Sequence, residues 1–241
     1  MSNTPSLTIQ RESAARFAPR LAQDIAQRLQ AAIEARGQAL LCVSGGQSPM
    51  VLFEALRCLP LAWDKVTIGL VDERCVATDH PDSNAQLVRQ HLLQDLAAQA
   101  SLVPLIADAH VTPLLAARQA SITMRALGSA DVLVLGMGSD GHTASLFPNA
   151  INLPLALDPT QSPACVAIEL AHPPANAPYA RVSQNLSMLL TAQQIVLPVT
   201  GADKLPVLER AMQAPTLALP VSHVRHQSRA AVAVWLDNAE D

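Results

Sequence analysis

The chain has 241 residues, half of them apolar, a formal charge of -4 and 2% aromatic residues. That balance suits a well-cored globular fold and excludes a disordered chain. Without a Lys/Arg run or aromatic stacking platforms, nucleic acid is not an expected partner. No apolar run approaches the ~18 residues needed to cross a bilayer, so no membrane partner is expected either. The first residues lack the basic start and apolar segment of a secretion signal, and a cytoplasmic location is expected.

In chain order, Phe17, Leu21, Ile25, Leu29 and Ile33 recur at helical spacing and predict a helix over 12–35, stopped at Gly37. Residues 39–43 form a short apolar run read as a buried strand, followed by SGGQSP at 44–49 and a helix over 50–59, with Ser48 as its cap and Pro49 in its first turn. A second strand over 66–71 runs into Asp72, Glu73 and Arg74. A loop at 81–84 opens a helix over 87–96, and another helix covers 111–127. The strand at 131–135 ends in Gly136 and Gly138. The proline-rich stretch 149–178 is read as a lid, substrate loop or plain surface loop, with a strand at 165–170. Extended structure resumes at 181–183, then a strand at 195–199, a helix at 204–212 and a terminal strand at 231–236. Alternating helices with continuously apolar strands predict an α/β fold: a Rossmann-like, modified doubly wound, mostly parallel sheet with helices on both faces, in one domain over 1–241.

Ligands of such sheets bind at the carboxyl ends of strands, and four strand ends here carry chemistry. DVLVLGMGSDGHTASLFP at 131–148 delivers Asp140 and His142 after a buried strand, a candidate acid–base pair. Ser44, Gly45, Gly46 and Ser48 lie between strand and helix, where glycines let backbone amides approach an anion. The loop matches neither GxGxxG nor GxxxxGK[ST], and a tight strand–helix turn explains it equally. Asp72, Glu73 and Arg74 are costly at a buried strand end unless used or solvated; Arg74 suits a phosphate or carboxylate, or a surface turn of local ion pairs. Lys204 stands near a helix start, where a bound anion would relieve its conflict with the macrodipole. Cys42, Cys58, Cys75 and Cys165 form no CxxC pair and read as buried thiols of a reducing compartment. His223 and His226 lack further ligands nearby, so no metal is expected.

Together these blocks make the chain resemble the bacterial 6-phosphogluconolactonases, within the wider glucosamine-6-phosphate isomerase/lactonase superfamily. The resemblance rests on SGGQSP at 44–49, DERCVATDHPDSNAQLVRQHLL at 72–93, LGMGSDGHTASLFP at 135–148, HPPANAPYARVS at 172–183 and TGADKLPVLE at 200–209. It implies a carboxylic ester hydrolase of the oxidative pentose phosphate pathway, acting on 6-phospho-D-glucono-1,5-lactone without metal, nucleotide or other cofactor. A monomer or weak homodimer is expected. Within it, His142 is expected as the general base, oriented by Asp140, because imidazole as a type titrates near neutrality. Ser44, Gly45, Gly46, Ser48, Arg181 and Lys204 are expected to hold phosphate, with Asp72 in the binding set. Arg74 serves either the phosphate or the reacting end. Oxyanion donors are expected from amides of 138–143 or from Arg74. The chain departs from its relatives at Ser48, where Thr is usual, at Ala171, His172, Pro173 and Pro174, where Pro-Lys-Pro-Pro is common, and at Ser183, Gln184 and Asn185, which replace a Thr-rich run.

Two rivals remain at this level. A glucosamine-6-phosphate deaminase of the sister family needs a glutamate where this chain has Phe147. A non-catalytic sugar-phosphate-binding protein would carry an added DNA-binding segment, for which the chain has no spare length.

Overall fold

The computed structural model describes residues 6–171 and 178–237. Its elements are β1 (Leu7–Arg11), α1 (Ala14–Arg36), β2 (Ala39–Val43), α2 (Met50–Leu56), β3 (Val66–Leu70), β4 (Asp72–Arg74), α3 (Asn84–His91), β5 (Ser101–Leu102), α4 (Pro113–Leu127), β6 (Val132–Val134), α5 (Leu153–Ala156), β7 (Cys165–Ile168), β8 (Arg181–Gln184), α6 (Leu186–Leu189), β9 (Gln194–Val199), α7 (Leu205–Ala211), α8 (Val221–Arg225) and β10 (Ala231–Leu236).

Among the described residues, seven strands form one sheet in the order β1-β10-β9-β6-β2-β3-β5. Every pairing in it is parallel. All residues of β2 and β9 are buried, so both faces of the sheet are covered there, as continuous apolar runs require. Helix α1 turns Phe17, Leu21, Ile25, Leu29 and Ile33 into the core and packs on β2, β6, β10 and α2. Helix α4 starts at a Thr112 cap whose hydroxyl accepts from the Leu115 amide, with Pro113 in its first turn; it packs on β7 and β8.

From β2 the chain steps outward through β3 to β5, then returns to the other side of β2 with β6. The strand order therefore reverses between β2 and β6. That is the topological switch point, where a crevice opens beyond the carboxyl ends of the strands.

A second, antiparallel sheet of β4, β8 and β7 was not expected from the sequence. The chain passes from one sheet to the other at a single residue: the Val71 amide donates to the Val43 carbonyl, while the Val71 carbonyl accepts from the Gln184 amide. Asp72, Glu73 and Arg74 are thus no surface turn. Asp72 is 7% and Glu73 2% exposed.

Other expectations shift at their edges. Helix α2 is capped at Pro49 with no side-chain bond, so Ser48 does not cap it; its hydroxyl accepts from Lys204 Nζ at 3.1 Å instead. The stretch 149–178 contains the expected strand, as β7, and also the short helix α5, and His172, Pro173 and Pro174 lie outside the described residues. Cys42 and Cys165 are buried, but Cys58 is exposed because it follows α2 on the surface. No helix among the described residues is long and apolar enough to cross a membrane.

Candidate active site

The loops after β2 and β6 meet at the switch point. The Gly136 amide donates to Ser44 Oγ at 3.1 Å, and Thr143 Oγ1 donates back to the Gly136 carbonyl at 2.9 Å. Between and beyond them lies a cavity of about 300 Å³, lined by Ser44, Gly45, Gly46 and Ser48, by Asp72, Arg74 and Arg181 from the second sheet, and by His142 and Phe147. Eight of the ten residues singled out in the sequence line it. Asp140 and Lys204 stand just behind, each bonded to a lining side chain.

His142 and Asp140 form a close polar pair. His142 Nδ1 is 2.6 Å from Asp140 Oδ1, and the same oxygen accepts the His142 amide at 3.0 Å. Their side chains are 32% and 50% exposed, so water reaches both. Burial pushes the Asp140 carboxyl up, but the hydrogen bonds and charge of His142 outweigh it and hold the group below its ordinary range. A carboxylate on Nδ1 leaves Nε2 as the ring nitrogen free to take a proton. Gly138 makes the pair possible: a Cβ there would lie 2.2 Å from the His142 ring and 2.7 Å from Asp140 Oδ1. The turn that follows is tight, with Ala144 at φ 49 and the Leu146 amide bonded to the Thr143 carbonyl. A non-glycine residue in that region is strained, and here the strain sits in the cavity wall.

Loop amides were one expected source of oxyanion donors. Three of them are already engaged: the Gly138 amide on the His142 carbonyl, the Gly141 amide on the Gly138 carbonyl and the His142 amide on Asp140. The local turn satisfies these donors before any ligand arrives.

The guanidinium groups come from paired positions, Arg74 facing Arg181 across β4 and β8. Arg74 Nη1 donates to the Asp82 carbonyl at 2.7 Å, while its buried Nε has no hydrogen-bond partner among the described residues. Burial, then the neighbouring Arg74 charge, push the Arg181 guanidinium below its ordinary range, opposed by Asp72, Glu73 and Asp82. Two guanidinium groups converging on one cavity favour an anionic occupant.

Sequence reasoning missed the residues that hold this wall. Glu73 accepts from the amides of Arg74, Asn84 and Ala85 and from Ser83 Oγ, and so closes the start of α3. Burial pushes its carboxyl up despite those four donors. Asn84, 3% exposed, donates Nδ2 to the Asp72 carbonyl at 2.9 Å. Its Oδ1 lies where a side chain on Gly45 would go, 1.9 Å from a Cβ built there. Asp72 Oδ2 accepts from Ser145 Oγ at 2.5 Å, so the buried Ser145 hydroxyl is committed and not poised as a nucleophile. The SN of PDSN reads as a helix start, which it is; nothing local in the sequence says that it also buttresses Gly45.

The rival reading needs a carboxylate at position 147. Phe147 instead lays its ring 4.4 Å from the His142 imidazole. Among the described residues no group of three or more His, Cys, Asp and Glu side chains is arranged to hold a metal.

Fold and site together define a doubly wound α/β protein with a small-molecule cleft at the carboxyl edge of its sheet. The sequence signature described as glucosamine-6-phosphate isomerases/6-phosphogluconolactonase matches residues 12–235, and the chain belongs to that family. A 6-phosphogluconolactonase of Pseudomonas putida is 44% identical over 211 residues, covering 87% of this chain and 85% of that one. One from Neisseria meningitidis serogroup A is 39% identical over 219 residues, covering 90% and 93%. The crystal structure of a 6-phosphogluconolactonase from Shewanella baltica superposes with a TM-score of 0.88 at 36% identity, covering 96% of this chain and 97% of that one.

Proposed function

We propose that this protein hydrolyses 6-phospho-D-glucono-1,5-lactone to 6-phospho-D-gluconate, as a cytoplasmic enzyme of the oxidative pentose phosphate pathway that needs no cofactor. One observation carries the reading beyond family membership. A single cavity is lined by water-accessible His142, backed by Asp140, together with a glycine loop and two arginines.

The substrate's phosphate carries nearly two negative charges. Gly45 and Gly46 offer backbone amides to it, Ser44 and Ser48 hydroxyls, and Arg181 and Lys204 charge. Lys204 reaches this group through Ser48. At the other end of the sugar, His142 Nε2 takes a proton from water as its oxygen attacks C1. Asp140 stabilises the imidazolium that results. The C1 oxygen becomes an oxyanion, and Arg74 supplies the donor that the occupied loop amides do not. When the C1–ring oxygen bond breaks, the imidazolium returns its proton to the departing oxygen and the open-chain acid is released. A lactone is already reactive, so general-base help of about 10²–10⁴-fold with positioning is sufficient.

The test compares 6-phosphogluconolactone, generated in situ by glucose-6-phosphate dehydrogenase, with the unphosphorylated gluconolactone. Hydrolysis well above the spontaneous rate with at least a 100-fold preference in kcat/KM for the phosphorylated lactone is expected. Equal kcat/KM for the two would remove the phosphate site from the account.

A further inference from the structure

The Asp140 contact fixes one point of the His142 ring and leaves the ring free to pivot about it. A second restraint comes from five residues along the chain. The turn through Ala144 brings Phe147 back beneath His142, with ring centroids 4.4 Å apart and planes 33° from each other. The Arg181 guanidinium carbon also lies over the Phe147 ring, 5.3 Å from its centroid. One aromatic ring thus meets both the imidazole and a guanidinium, and all three side chains line the cavity.

Resting on the lactonase reading of the same site, we propose that Phe147 is a positioning residue for this reaction: its ring fixes the plane of the His142 imidazole so that Nε2 faces the attacking water. Stacking at this distance is within the range of favourable aromatic contact. The face of the ring is electron-rich, so it also tolerates the positive charge that His142 acquires during turnover. Arg181 holds the ring from its own side by the same attraction. Removing the ring leaves Asp140 as a single pivot, and the imidazole samples orientations from which Nε2 misses the water. Chemistry suffers while ligand binding persists, because misplacement of about 1 Å costs on the order of 10²-fold in rate.

The experiment uses Phe147→Leu, which keeps apolar volume without an aromatic face, and Phe147→Tyr, which restores the face. Expected for Phe147→Leu is a fall in kcat of at least 10-fold, with affinity for 6-phosphogluconate by calorimetry within about threefold of wild type. Phe147→Tyr should recover kcat to within about threefold. A second readout needs no turnover. In ¹³C relaxation of the isotopically labelled imidazole, Phe147→Leu should show greater motion of the His142 ring than wild type, while the Nδ1–H tautomer set by Asp140 persists in both. A leucine variant with wild-type kcat, one losing kcat and product affinity alike, or one with wild-type motion of the His142 ring would overturn the proposal. A difference in ring motion between wild type and Phe147→Leu, with no lactone hydrolysis by wild type, would instead count against the lactonase reading alone.

Discussion

Replacing Ser145 by alanine tests the buried side of the site quantitatively. Ser145 is fully buried, and its hydroxyl donates to Asp72 Oδ2 at 2.5 Å. Among the described residues the other Asp72 oxygen has only a long contact of 3.5 Å from Asn84 Nδ2, too stretched to replace it. Without the hydroxyl, a buried carboxylate oxygen loses its charge-assisted donor. A hydrogen bond to a charged group contributes about 1.5–3 kcal/mol, and the orphaned oxygen keeps its desolvation cost. We therefore expect Ser145→Ala to lose about 2–3 kcal/mol. With a urea m-value of about 3 kcal/mol/M, the unfolding midpoint falls by about 0.7–1 M. Ser13→Ala is the matched control: that hydroxyl is also buried but has no partner among the described residues, so its change should stay within about 0.5 kcal/mol. Equal midpoints for the two variants would refute the claim that Asp72 depends on Ser145. Turnover adds a second check, since Ser145→Ala should retain hydrolysis well above background, and a fall to the spontaneous rate would point to Ser145 as a nucleophile.

Other outcomes follow from single contacts. Gly138→Ala places a methyl 2.2 Å from the His142 ring; kcat should drop at least 100-fold while circular dichroism stays native, and an unchanged kcat would show the approach to be relaxed. Lys204→Ala removes the cation bonded to Ser48 and should weaken 6-phosphogluconate about 10-fold or more by calorimetry, whereas equal affinity would take Lys204 out of the site. Burial pushes the thiols of Cys42 and Cys165 up to about 12, so at pH 8 a thiol reagent should label Cys58 quickly and those two only on unfolding. Because an unfolded thiol ionises near pH 8.5, the unfolded chain sheds protons that the folded one keeps. Their stabilisation is thus complete below about pH 8.5 and lost as pH rises toward 12, by up to about 1.4 kcal/mol per pH unit for each thiol. Cys42→Ala should flatten that decline in guanidinium melts between pH 8 and 10, and an unaltered slope would contradict it.

The legible parts of this molecule were those with a local signal. Strands β2, β6 and β9 announce themselves as short apolar runs, and each releases the chain into glycines at the sheet edge where ligands bind. His142, Asp140, Arg74 and the 44–48 loop could therefore be named from their places after strands. Strand β1 was not legible because, as an edge strand with only Leu7 partly covered, it has no apolar pattern. Strand β4 was not legible for a different reason. Its three residues are all charged, and what makes them a strand is pairing with Arg181–Ser183, more than a hundred residues later. The supporting contacts were hidden likewise: Asn84 against Gly45 and Ser145 on Asp72 become visible only when distant turns meet, and Phe147 under His142 only when the local turn through Ala144 closes. Three of the expected oxyanion amides, those of Gly138, Gly141 and His142, are occupied because the turn closes its own hydrogen bonds.

The account turns on His142 as the base. The decisive measurement follows 6-phosphogluconolactone, formed in situ, against its spontaneous decay with wild type and His142→Ala at equal concentration, with 6-phosphogluconate affinity measured on both. Fast loss with wild type, a decrease of about 10²–10⁴-fold in the variant and product affinity preserved within a few-fold are the predicted results. A His142→Ala enzyme that turns over near the wild-type rate would contradict the account.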